Sequence, residues 1–336
     1  MIVFASVIGL MAAGGAVLLT SIDPEQSDET DEDDLTPDED TSSTESARNG
    51  EGEGPDTPEE PPDLLHQIIA GDASNNVLEG ASGDDQINGY GGDDSLSGGG
   101  GDDDLHGADG QDILSGGAHD DTLHGQDGGD TLIGGEGEDS LFGHFGQDHL
   151  RGGDGSDTLY GGQDADSLDG GHDDDALHGG YGDDTLKGDK GQDSLFGGEG
   201  DDLVIGTGDI GQESIDYLNG GEGADTILAG AGDIVTSGAG ADQLYLDSGS
   251  EEEDGAAVMD FDPLEDRLVL VVENPEETEA EITVEPDPDQ NGLSHVLLDG
   301  IPVATLLSKT AIDPADIQLV DVQSMPELMA KGAAAL

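Results

Sequence analysis

Aspartate occupies the sixth place of a nine-residue unit fourteen times in succession. The fourteen nonapeptides run from Gly80 to Ile205 without a gap or an insertion. Two of them are Gly134-Gly135-Glu136-Gly137-Glu138-Asp139-Ser140-Leu141-Phe142 and Gly197-Gly198-Glu199-Gly200-Asp201-Asp202-Leu203-Val204-Ile205. Position one is glycine throughout, from Gly80 to Gly197. Position eight is Ile87, then twelve leucines from Leu96 to Leu195, then Val204. Position four is glycine in eleven units, with His119, Asp164 and Asp173 as the exceptions, and position two is the loosest, with eight glycines. A fixed short period means stacked copies of one small unit, in which neighbours bury what a single unit cannot.

Each position has a physical reading. The first six residues are turn-formers, because glycine reaches positive φ without a Cβ clash. Histidine and aspartate tolerate left-handed geometry better than most residues, so the exceptions at position four are mild. The last three residues predict a very short strand whose middle side chain, the leucine, alone points inward. Turn and strand then alternate, two units close one coil, and each strand pairs in parallel with the strand eighteen residues on. The expected architecture is all-β: a two-sheet parallel β-roll.

Composition agrees with a metal-ordered stack. There are 81 acidic and 7 basic residues, and 7 − 81 gives a formal charge of −74. Nucleic acid is excluded as a partner, since phosphate needs neutralising cations from the protein. Multivalent cations are favoured instead. The absence of cysteine excludes a disulfide scaffold, zinc–thiolate sites and iron–sulfur clusters. Only ten residues are Phe or Tyr and none is Trp, too few large apolar groups for an ordinary core.

The repeat resembles the glycine–aspartate nonapeptides of the RTX (hemolysin-type) calcium-binding family. The resemblance implies calcium held between successive coils. Its ligands would be backbone carbonyls of the glycine turns and the position-six carboxylates Asp85, Asp94, Asp103, Asp112, Asp121, Asp130, Asp139, Asp148, Asp157, Asp166, Asp175, Asp184, Asp193 and Asp202. Fourteen loops paired two apart give 14 − 2, or twelve, ions. Asp225 and Asp242 belong to degraded repeats further on and extend the ligand set. Carboxylate and carbonyl oxygens on flexible loops suit calcium better than magnesium, which demands a tight octahedron. One aliphatic side chain per nine ordered residues is a thin return against lost chain entropy, so metal binding and folding are expected to be one cooperative equilibrium. The resemblance also implies export through type I secretion machinery, with folding outside the cell.

The remaining chain divides by composition. Residues 1–22 carry no charged side chain and read as an apolar helix, either a membrane anchor or a cleaved signal segment. Residues 23–65 hold eighteen acids, one base and six prolines, the composition of a disordered linker. The roll is expected over 66–248, with regular repeats at 80–205 and degraded ones at 216–247. Between Gly206 and Tyr217 the period slips, which predicts a bulged coil. Apolar runs separated by turns over 249–322 read as a small antiparallel β cap. With the turn Asp260-Phe261-Asp262-Pro263, this part is similar to the roll and cap of serralysin-type secreted proteases, without the protease domain. Residues 323–336 form a tail.

Other patterns have ordinary explanations. Asp287-Pro288-Asp289-Gln290-Asn291-Gly292 matches half of an EF-hand loop, but Leu298 stands where glutamate is needed, so a hairpin turn is expected. Seven histidines lie in the repeats, three of them at position nine, and are expected to be solvated, with adventitious transition-metal binding as the alternative. The sequence holds no His-Glu-x-x-His, no Gly-x-Ser-x-Gly and no Gly-Lys-Ser/Thr phosphate loop. The expected function is therefore non-enzymatic calcium binding, in a protein exported to the bacterial cell surface or medium. The alternatives are an adhesive surface stalk and a degenerate exoenzyme that keeps only its secretion domain.

Overall fold

The computed structural model describes residues 66–206, 214–247, 255–272 and 280–324. The apolar segment 1–22, the linker 23–65 and most of the tail 323–336 lie outside the described residues.

The repeats build two long parallel sheets. Strands alternate between them, so that Ser140–Phe145 pairs with Thr158–Gln163 in the first sheet and His149–Asp154 pairs with Ser167–His172 in the second. The offset is eighteen residues, with Leu141 opposite Leu159 and Leu150 opposite Leu168. Among the described residues the first sheet has fourteen strands and the second twelve. No helix among the described residues is long and apolar enough to cross a membrane.

The strands are longer than the sequence predicts. From Gln86–Gly91 to Ser194–Glu199 each spans six residues rather than three, starting at position seven and running through position three of the next unit, as in Thr122–Asp127 and Thr185–Lys190, while Leu203–Ile205 keeps to three. The cause is the stack itself. Glycine carries the same backbone donor and acceptor as any other residue. A coil on either side offers partners at every step, so the glycine-rich half of the unit joins the ladder.

The inward face also carries more than leucine. Side chains alternate along a strand, so positions six, eight and one all point inside. The position-eight ladder from Ile87 to Val204 is at most 2 % exposed, and it is prolonged by Leu218, Ile227, Val235 and Leu244. The position-six aspartates are as deeply placed, at 0–3 % exposure. The position-one glycines fill the third inward place.

Left-handed backbone recurs at two positions of every regular unit after the first. Position four carries it at Gly137 (φ 136°) and Gly155 (φ 128°), and position two at Gly135 (φ 131°) and Gly153 (φ 134°). Where a side chain stands there, φ contracts, to 84° at Ala108, 80° at His144 and 74° at Asp164. That is the narrow left-handed well open to residues with a Cβ. From Tyr90 to Gly198, position two is therefore variable in sequence yet fixed in conformation.

The C-terminal strands are of two kinds. Arg267–Val272 and Gln318–Asp321 extend the second sheet in parallel. In the first sheet, Ala256–Val258 pairs in parallel with Ile301–Leu307, and Ile282–Pro286, Leu293–Leu298 and Ile301–Leu307 form the antiparallel meander. The half EF-hand motif is the turn between the first two strands of that meander. Val296, Val303 and Leu306 close the apolar core at this end.

Replacing Leu141 by Ala, at the centre of the ladder, is expected to cost about 2–5 kcal/mol. Replacing Ile133, 38 % exposed on the outer face, should change stability by only about 0.5 kcal/mol. Thermal unfolding of both variants in saturating calcium gives the comparison. Equal losses would mean the ladder is not the core.

Candidate metal centre

The inward aspartates form two continuous ladders, one on each side of the roll. In each, the backbone N–H of one aspartate donates to Oδ1 of the aspartate one coil later. Asp85 donates to Asp103 (2.7 Å), Asp139 to Asp157 and Asp157 to Asp175 (2.8 Å each). On the other side Asp94 donates to Asp112 (2.7 Å), Asp148 to Asp166 and Asp166 to Asp184 (2.8 Å each). The same backbone unit gives its carbonyl to position seven of the next coil, as Asp139 does to Thr158 at 2.8 Å. One aspartate thus binds its neighbours through main chain and side chain together.

The second carboxylate oxygen is left over. From Asp94 to Asp184, and again at Asp202, Asp225 and Asp242, Oδ2 is buried without a hydrogen-bond partner among the described residues. It lies under the position-one glycine of its own unit. A Cβ at Gly143 would overlap Oδ2 of Asp148 and approach the carbonyl oxygen of Gly161 in the next coil. Gly179 stands in the same relation to Asp184 and Gly197. Two oxygens converge on a space that only glycine leaves open. Buried anionic oxygens without donors demand a cation, and the donor set is all hard oxygen, which fits calcium.

Burial raises the affinity of these groups for protons. Asp166 and Asp175 are pushed from the ordinary 3.8 up to about 8, chiefly by removal from water. The N–H donated from the preceding coil opposes the shift, and the stacked carboxylates above and below add to it. Asp121, Asp148, Asp157, Asp202 and Asp225 reach about 7 for the same leading reason. Around these carboxylates a metal-free ladder is therefore short of positive charge.

Every aspartate expected from the sequence stands in one of the ladders, and four further members were not expected. Asp216 accepts from the N–H of Asp193 (2.9 Å), Asp233 from Asp216 (3.0 Å) and Asp266 from Asp242 (3.3 Å). Asn76 donates to Asp94 (2.7 Å) and takes the aspartate's place in an earlier unit that begins at Gly71. The glycine frame around these residues is eroded. The signal that survives is Asp or Asn two places before an aliphatic residue, as in Asn76-Val77-Leu78, Asp216-Tyr217-Leu218 and Asp233-Ile234-Val235. Residues 207–213 of the slipped segment are not described, but across it Ser194 pairs with Tyr217 and the ladder is unbroken. The position-nine histidines also depart from expectation. His106, His124 and His178 are half-buried in a stack of rings rather than solvated singly.

A two-sheet parallel roll with carboxylates stacked under glycine turns is a calcium-binding β-roll. The chain belongs to the RTX calcium-binding nonapeptide repeat family, whose four-copy unit matches in overlapping stretches from residue 70 to residue 250. No curated protein sequence matches it. Nine chains of known structure match, among them a hyperactive, Ca2+-dependent, β-helical antifreeze protein from an Antarctic bacterium. That alignment has 22% identity and a TM-score of 0.33, and covers 62% of this chain and 84% of that one.

The raised pKa values set the sign of a pH effect in the metal-free protein. A carboxyl whose folded value lies above its unfolded value favours the folded form while protonated. That contribution is present below about pH 4 and is lost as pH rises through about 6–8. In chelator, the β signal in circular dichroism should therefore grow on acidification from about pH 8 to about pH 5. A metal-free signal that grows with rising pH would contradict this account of the ladder.

Proposed function

We propose that this protein is a non-enzymatic calcium binder, exported from a bacterial cell, whose roll folds outside on meeting calcium. The observation that carries the reading is the row of buried, unpartnered Oδ2 atoms facing carbonyl oxygens across the position-one glycines. The ligands are the position-six aspartates from Asp85 to Asp202, then Asp225 and Asp242, joined by Asp216 and Asp233 in the same ladders. The regular repeats hold about twelve ions, one for each pair of loops a coil apart.

Bound calcium supplies positive charge to paired carboxylates and links adjacent coils. The chain does the rest. The Oδ1 bonds orient each carboxylate, the leucine ladder excludes water from one side, and the glycines keep the oxygen-lined space clear. Ions would lower the charge from −74 to about −50 (−74 + 24), so the loaded protein stays soluble by repulsion. Extracellular modules work at about 10⁻⁴–10⁻³ M calcium, whereas cytosolic calcium would leave weak sites empty and the chain competent for export. The division into an anchor or signal at 1–22, a spacer at 23–65, a roll at 66–248, a cap at 249–322 and a tail at 323–336 belongs to the same reading. The spacer would hold the roll away from a membrane.

Far-UV circular dichroism of the full chain during a calcium titration tests the switch, with magnesium as control. A cooperative gain of β signal with calcium alone is expected. The double substitution Asp148→Asn and Asp166→Asn should move the midpoint to higher calcium and blunt the cooperativity. A β signal at full strength in chelator at pH 8 would show that calcium decorates a self-supporting roll. Protease added to intact cells tests export: a roll cleaved only after lysis would place it inside.

A further inference from the structure

Position nine of the first sheet points outward and repeats every eighteen residues. Six consecutive coils place a ring there: His106, His124, Phe142, Tyr160, His178 and Phe196. Their centroids are 4.8–5.3 Å apart and their planes within 11° of parallel. The second sheet has nothing comparable, with Ser115, Ile133, Arg151, Asp169 and Lys187 at the equivalent places.

Stacking decides what this row can bind. The ring faces are turned to one another, so they are unavailable to a flat ligand such as a sugar ring. Edges face outward. Phe142 and Phe196 present hydrocarbon edges, Tyr160 a phenol and His178 a single imidazole, whereas at one end His106 and His124 set imidazole edges side by side, and there other ligands crowd in. Asp104 Oδ1 lies 2.9 Å from His106 Nε2. His144, entering from position two of the next strand, brings Nε2 to 3.1 Å from His124 Nδ1. One ligand atom from each of Asp104, His106 and His124 falls within 4.8 Å of the other two.

We propose that Asp104, His106 and His124, with His144, form a site for a divalent transition metal of the zinc class, separate from the calcium ladders. The chemistry of the donors separates the two. Imidazole nitrogen with one carboxylate suits zinc, copper or nickel, whereas calcium takes oxygen. Tetrahedral zinc with bonds of about 2.0–2.1 Å needs ligand atoms about 3.3 Å apart. The His124–His144 pair is near that spacing at 3.1 Å, and one ligand atom each of Asp104, His106 and His124 lies within 4.8 Å of the others on partly buried side chains. The strands are held in register, His106 opposite His124 and Gln126 opposite His144, so little chain order is left to gain on binding. Gln126 Nε2 lies 3.2 Å from His106 Nδ1; with zinc on Nε2 the Gln126 amide must turn so that its oxygen accepts from Nδ1–H, the outer hydrogen bond that metal-bound histidines commonly make. The site goes beyond the calcium reading, although the fold that assembles it is the one calcium is proposed to stabilise.

The test is isothermal titration of the full chain with zinc chloride in saturating calcium, which keeps the aspartate ladders occupied. Circular dichroism on the same samples reports whether the roll is folded, so a failure of calcium-driven folding is distinguished from a failure of this site. One zinc per chain is expected above any diffuse background. The double variant His106→Phe and His124→Phe keeps the ring stack, as Phe142 does naturally, and should lower zinc affinity by about tenfold or more. His144→Gln should weaken binding too, while His178→Phe should leave it unchanged. Cobalt should give visible absorption that the double variant loses. Zinc binding of unchanged affinity and stoichiometry in the double variant and in His144→Gln would assign it to surface carboxylates and overturn the proposal. So would the absence of binding to the folded parent.

Discussion

The whole roll depends on a carboxylate held indoors. From Asp94 to Asp184 each position-six aspartate has one oxygen taken by the coil before it and one that no donor among the described residues reaches. The first oxygen contributes order, fixing side chain and main chain of adjacent coils with bonds near 2.8 Å. The second contributes repulsion, because a like group lies one coil above and one below. An apolar core would dominate this conflict in most proteins. Here the core is one aliphatic side chain per unit, and the burial it provides is small beside the chain entropy it must offset. Stability is therefore delegated to whatever neutralises the aspartates, proton or metal.

Glycine follows from the same constraint. At position one the requirement is spatial, since a methyl group would occupy the room shared by Oδ2 and the next carbonyl. At positions two and four it is conformational, and from Tyr90 to Asp189 residues with a Cβ stand there at φ near 70–85°. Outside, position five adds a weaker and reversed ladder. Asp102 donates its N–H back to Asp84 (3.1 Å), Glu138 to Asp120 (2.9 Å) and Asp201 to Asp183 (3.0 Å). Two polar ladders of opposite sense thus run past each turn.

Much of this was legible in the sequence. The spacing of Leu96 to Leu195 and of Asp85 to Asp202 gave the period, the eighteen-residue pairing and the inward leucine, because each is a property of single repeated positions. What was hidden depended on neighbours in space. Six-residue strands arise from glycines that have partners only in the stack. The inward turn of Asp148 follows from strand alternation once Leu150 is known to be core, yet an acidic residue is not expected inside until its partners are seen. Asp216, Asp233, Asp266 and Asn76 fall outside any pattern defined by its glycine frame, because their units retain only the acid or amide and the aliphatic residue after it. The histidine stack was missed because residues eighteen apart carry no local signature.

The pairing offsets near the end of the roll have a wider meaning. Regular coils are eighteen residues around, but Leu203 pairs with Thr226 and Thr226 with Gln243, offsets of twenty-three and seventeen. Hydrogen bonds from Asp202 to Asp225 and from Asp225 to Asp242 stay near 3 Å throughout. Circumference and grip are therefore independent variables: the short stretch from aspartate to aliphatic residue fixes how coils hold each other, and the corner between two such stretches is free to lengthen. A scaffold built this way can accept new loops, and whole inserted modules, along one edge while its spine stays in step.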